Sequence, residues 1–179
     1  MHSNLTLSNI TPDEVTEEYV SWLRDPEINR FLESRHQKIT LMSQKKFIED
    51  VNASHDSSIF GIYLNPKLMV GTIKVGPINA IHKTGYLGIL IGSRKYHGMG
   101  IATNAISALC STLGQNSLLR KVNAGVISGN FGSLKAFEKN GFTIEGLCIQ
   151  QMLDTNGRPL DVILLGKLLN TPQVSGNLS

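Results

Sequence analysis

The chain has 179 residues, 41% hydrophobic and 17% charged, enough to enclose one substantial core with no internal gap that would divide it. Its formal charge of +3 comes from 17 scattered Lys and Arg, which excludes the basic stripe of a nucleic-acid binder and permits an anionic ligand. No apolar run approaches the about 18 residues needed to span a bilayer, and "MHSNLTLSNI" lacks the basic-then-apolar order of an export leader, so a soluble cytoplasmic protein is expected.

In chain order, "NLTLSNI" alternates like a short strand, and Thr11-Pro12-Asp13-Glu14 supplies a cap, a proline at the first helical position and a glutamate three residues after the cap. A helix through Val15, Tyr19, Val20 and Leu23 is predicted, with Trp22 packing it on the sheet. Asp25-Pro26 then restarts a short helix, "EINRFLE". Thr40 or Ser43 can cap the next, "QKKFIEDV".

From Ile59 the period changes, and "IFGIYL", "LMVGTIKVGPI" and "GYLGILIG" are separated by turn residues, as in an antiparallel meander. A long helix from about Gly98 to Leu113 follows, then a strand, "KVNAGVI", and a helix, "GSLKAFEKN", stopped by Gly141. Two last strands flank "DTNGRP", a hairpin signature. The order β-αα-α-βββ-α-β-α-ββ predicts an α/β (α+β) fold, a mixed sheet with helices on both faces. The ten polar residues from 170 onward should form a loose tail. Cys110 and Cys148 lie in periodic segments without metal-ligand spacing, so buried reduced thiols and no metal are expected.

The most informative stretch is "RKYHGMGIA", Arg94 to Ala102, a glycine-spaced turn between a strand and a helix. The first amides of a helix have no intrahelical partner and carry partial positive charge, and glycines clear the approach of an anion. Gly98 and Gly100 remove two Cβ atoms there, while Arg94, Lys95 and His97 offer further donors, so the amides of Met99, Ile101 and Ala102 form a candidate diphosphate cradle. The Walker form is absent, because Gly100 is followed by Ile101-Ala102 rather than Lys-Ser/Thr; the dinucleotide form fails at Thr103, where glycine is needed.

Thirty residues on stands "NFGSLKAFEKNGF". With these two motifs in this order, the chain resembles the GNAT superfamily of acyl-CoA-dependent N-acetyltransferases over roughly residues 5 to 169. The pattern Arg/Gln-x-x-Gly-x-Gly/Ala is matched from Lys95 through Gly98 to Gly100. The pattern Asn-x-x-Ser-x-x-x-Tyr-Glu-Lys-x-Gly-Phe is matched by Asn130, Ser133, Glu138, Lys139, Gly141 and Phe142. "WLRDPEINRFLESR", "VGTIKVGPIN" and "NGRPLDVILLG" are similar to the branch of ribosomal-protein N-terminal and amino-sugar acetyltransferases.

The resemblance implies one domain over residues 1–169 around a mostly antiparallel sheet of about seven strands. It implies acetyl-CoA as co-substrate, attacked directly by a primary amine, with an amino-sugar nucleotide as the favoured acceptor and a protein N-terminus as the alternative; a homodimer stays open. Freed backbone at Leu90, Ile91 and Gly92 would pair with the pantetheine arm, and Asn130, Ser133 and Phe137 would flank it. By the same resemblance Glu33, with His36 beside it, borders the acceptor pocket as candidate base. Ser133 could donate to the sulfur, and Arg35, His82 and Asp161 are candidate acceptor contacts. Two departures stand out: Lys95 lacks the fork of an arginine, and Phe137 replaces the tyrosine that many members use as acid. That replacement keeps open a non-catalytic acyl-CoA-binding module.

Overall fold

A computed structural model describes residues 5–66, 68–116 and 118–169, so the tail expected from residue 170 lies outside the described residues. Seven strands form one sheet in the order β1-β2-β3-β4-β5-β7-β6. They are β1 (Thr6–Asn9), β2 (Ser58–Asn65), β3 (Leu68–Asn79), β4 (Thr84–Ile91), β5 (Lys121–Ile127), β6 (Thr143–Leu153) and β7 (Pro159–Leu168). Every pairing is antiparallel except that of β4 with β5.

Helices α1 (Glu17–Arg24) and α3 (Leu41–Ala53) cover one face and α4 (Ile101–Gln115) and α5 (Phe131–Glu138) the other; α2 (Pro26–Asn29) is a single short turn. Each face encloses its own core. The α4 side buries Ile101, Ala105, Ile106 and Leu109, at the three-to-four spacing of an amphipathic helix, against Ile62, Ile73, Val122 and Leu165 of the sheet. The α1 side buries Tyr19, Trp22 and Leu23 with Ile48, Ile59 and Leu90.

The first predicted helix is broken in two. Thr11 and Glu14 close a capping box around a single 3-10 turn, Pro12–Glu14, after which Val15 adopts extended backbone and inserts its side chain into the core. Thr16 then caps α1 by accepting from the Tyr19 amide at 3.3 Å. The burial of Val15 overrides the helix signal around it. Likewise "EINRFLE" stops at Asn29, and Glu33–His36 form a separate 3-10 turn. At α3 Thr40 and Ser43 cap each other reciprocally, both bonds at 3.0 Å. The predicted hairpin joins β6 to β7, where Asp154 Oδ1 accepts from the amides of Asn156 and Arg158. Hydrogen bonds from those amides, Arg158 first, hold its carboxyl below the usual carboxylate range.

Candidate active site

β4 and β5 run side by side only at Thr84 with Lys121, Gly85 with Val122 and Tyr86 with Asn123. Beyond Tyr86, β4 keeps its register with β3 to Ile91 while β5 continues on β7 to Ile127. The sheet therefore opens into a wedge, and a cleft of about 620 Å³ fills it. Its walls are the end of β4 (Ile89, Leu90, Ile91), the turn into α4 (Tyr96 to Thr103 without Met99), one side of α5 and its flanks from Gly129 to Lys139, and α2 with the residues after it.

Along the wedge the side chains alternate. Ile89 and Ile91 pack toward α4 and α5, whereas Leu90 enters the opposite core. The Ile91 carbonyl is taken by His97 Nε2 at 2.9 Å, so that ring nitrogen carries its proton and donates. Gly92 is not part of the freed backbone: its amide donates to the Val70 carbonyl at 2.8 Å. A Cβ there would stand 1.9 Å from the Trp22 ring, so this glycine is explained by the tryptophan lying on it.

The glycine turn has open space in front of it. Gly98 (φ +73°) and Gly100 (φ +78°) occupy the left-handed region, and a Cβ on either would meet nothing within 4 Å. Gly100 caps α4 with no side chain over the amides of Ile101, Ala102 and Thr103; the first intrahelical bond to it comes from Asn104 at 3.0 Å. Such a cradle fits a diphosphate. The three expected side-chain donors are engaged elsewhere, His97 at the Ile91 carbonyl. Arg94 holds Asp25 Oδ2 through Nε at 3.0 Å and Nη2 at 2.6 Å. The Lys95 ammonium sits 5.2 Å from the centre of the Tyr96 ring, and Lys95 is not in the cleft wall.

On α5, Asn130 and Ser133 both line the cleft, with Asn130 Oδ1 accepting from the Ser133 amide at 3.2 Å. The Ser133 hydroxyl has no partner among the described residues. Phe137 is 2% exposed and packs edge-on against Phe142 at 4.9 Å, a core residue behind the cleft wall rather than a part of it.

The acceptor contacts expected from the sequence are dispersed. Glu33 is exposed and outside the cleft wall, its Oε1 3.6 Å from Arg35 Nη1. The Arg35 side chain is 2% exposed, with Nη1 on the Leu32 carbonyl at 2.6 Å and Nη2 on the Leu153 carbonyl at 2.7 Å, and His36 Nε2 lies 3.1 Å from that same Leu153 oxygen. Arg35 and His36 thereby dock the 3-10 turn on the end of β6. His82 lies in the turn between β3 and β4, at the opposite end of β4 from the glycine turn, with its carbonyl held by Arg120. Asp161 spends its carboxylate on the Gln150 amide at 2.8 Å, inside a β6 bulge where Gln150 has φ +51°. In their place, the cleft wall contains Glu27, Ile28, Arg30, Phe31 and Leu32 from around α2, and Lys135 and Lys139 from α5.

A family model described as an acetyltransferase (GNAT) domain matches residues 4–143. The chain belongs to the GNAT acetyltransferase family. A Bacillus subtilis (strain 168) protein described as the probable N-acetyltransferase YjcK is 29% identical to this GNAT chain over 90 residues, 49% of each sequence, so the chain spans about half the length of that curated relative. Among solved structures, a spermidine N-acetyltransferase from Vibrio cholerae, in complex with CoA and spermine, superposes with a TM-score of 0.83 at 20% identity, covering 93% of this chain and 96% of that one. An acetyltransferase from Salmonella typhimurium that modifies the N-terminal serine of ribosomal protein L7/L12 gives 0.81 at 19% identity, covering 94% and 96%. These likenesses establish the GNAT fold, a seven-stranded, mostly antiparallel sheet between helices. None of the three is described as acting on an amino sugar.

Proposed function

We propose that this GNAT protein is an acetyl-CoA-dependent N-acetyltransferase acting on a primary amine. The observation that carries this is the continuity of the wedge between β4 and β5 with the glycine-capped start of α4 in one cleft. Acetyl-CoA supplies an activated thioester, which the amine attacks directly with release of the thiol.

The chain's residues have separable tasks. The amides of Ile101, Ala102 and Thr103, unobstructed by Gly98 and Gly100, bind the diphosphate. The open edge of β4 at Ile89 orients the pantetheine arm. Ser133, half-buried with a free hydroxyl one turn before Phe137, is the group that can donate a proton to the departing sulfur. Glu27 is the carboxylate in the cleft wall and takes the place expected for Glu33, accepting the amine's proton directly or through water.

The acceptor side argues for an amine on a neutral body. Ile28, Phe31 and Leu32 are apolar, and Glu27 is compensated by Arg30 at 3.8 Å, which leaves no acidic trap for a polycation. A peptide N-terminus fits this wall better than a polyamine, and better than the nucleotide-linked sugar expected from the sequence. The test offers acetyl-CoA with N-terminal peptides, spermidine and nucleotide amino sugars, and follows thiol release. Peptide acetylation is expected; turnover confined to spermidine or sugars overturns the acceptor assignment. Phe137 favours one further reading, a non-catalytic acyl-CoA-binding module, for which CoA binding without thiol release from any amine would be the result.

A further inference from the structure

The cleft contains more positive charge than a diphosphate requires, and it is placed on α5. Gly132, Lys135, Ala136 and Lys139 follow the spacing i, i+3, i+4, i+7, so they form one stripe along the helix, and all four line the cleft. Ala136 lies between the two exposed lysines, and Gly132 leaves the turn before them without a side chain. Neither ammonium has a hydrogen-bond or ion-pair partner among the described residues, whereas the other strong cation in the wall, Arg30, is compensated by Glu27.

The stripe is fixed beside the diphosphate cradle. Asn140, next to Lys139, donates through Nδ2 to the carbonyl of Thr103, in the first turn of α4, at 3.0 Å and to that of Ala136 at 2.8 Å. Lys139 is thereby held near the free amides that end the glycine turn. The free amides of Ile101 to Thr103 and this stripe line the same cleft, so a ligand bound there by its diphosphate lies in the cleft that the lysines border. In coenzyme A the ribose next to the diphosphate carries a 3′-phosphomonoester, close to a dianion at neutral pH.

We infer that Lys135 and Lys139 bind the 3′-phosphate and make the site selective for coenzyme A over its 3′-dephospho form. The inference rests on the coenzyme reading above and assigns to α5 the cationic contribution that the sequence pattern assigns to Lys95. Both lysines are exposed, so the contacts are screened by water and salt, and the selectivity is modest and falls as ionic strength rises.

The experiment measures calorimetric affinity of the full chain for CoA and for 3′-dephospho-CoA, in wild type and in Lys135→Met/Lys139→Met, with circular dichroism as the check on folding. Methionine is a good helix former and removes only the charge. Wild type should prefer CoA by about tenfold at low salt, and the double variant should lose that preference through weaker CoA binding, with dephospho-CoA affinity unchanged. Equal affinities in wild type, or a preference that survives in the double variant, overturn the assignment. Binding of neither coenzyme by wild type overturns the coenzyme reading itself, a result distinct from loss of selectivity alone. Should the double variant unfold, Lys139→Gln by itself must narrow the preference, and an unchanged ratio there overturns the assignment equally.

Discussion

Replacing Gly98 by alanine separates the cost of backbone strain from the cost of filling the cradle. At φ +73° any L side chain is strained, and nothing in the free protein lies within 4 Å of the added Cβ, so strain alone reduces stability. Strain in the left-handed region is worth about 1–2 kcal/mol, which lowers Tm by about 2–8 °C in a chain of this size. Gly157 provides the control: it has φ +76°, nothing within 4 Å, and a place in the β6–β7 turn away from the cleft. Gly98→Ala and Gly157→Ala should therefore lose similar Tm by scanning fluorimetry. Only Gly98→Ala puts a methyl where the diphosphate approaches the amides. Loss of one charge-assisted hydrogen bond, about 1.5–3 kcal/mol, weakens CoA binding about ten- to a hundredfold. Equal CoA affinity in the two variants, measured by calorimetry at matched folded fraction, would refute the cradle.

Two further outcomes follow from the geometry. Glu27→Gln should lower kcat at neutral pH by about 10²-fold or more with CoA affinity intact, while Glu33→Gln stays near wild type; the reverse ranking in steady-state assays would return the base role to Glu33. Asp25 has its carboxyl held below the usual range, chiefly by the hydrogen bond from Arg94 and then by that from the Glu27 amide. Its contribution to stability is thus complete above its unfolded pKa, near 4, and is lost as pH falls through the lower folded value. Urea midpoints should fall less steeply between about pH 5 and 3 in Asp25→Asn than in wild type, and identical slopes would exclude the linkage.

The order of elements was legible because each depends on local signals: the cap at Thr40, the helix-stopping Gly141, the change of period at Ile59. The glycine turn was legible for the same reason, since its chemistry lies in backbone amides that spacing alone exposes. The acceptor wall was not. Whether Glu33, Arg35 or His36 faces a ligand is decided by the docking of the Glu33–His36 turn on the Leu153 carbonyl, far along the chain. The contact of Asp161 with the Gln150 amide has a similar origin, a β6 bulge at Gln150 that no turn residue announces. The α5 lysines did carry a signal, their four-residue spacing after Asn130, but only the wedge between β4 and β5 makes that face a wall of the cleft.

Trp22 is the sole tryptophan of the chain, and its ring rests on Gly92, one residue beyond the open end of β4. The indole is therefore a native optical probe of this strand end: a shift of β4 when the wedge is filled would alter its emission, allowing ligand titration without any attached dye.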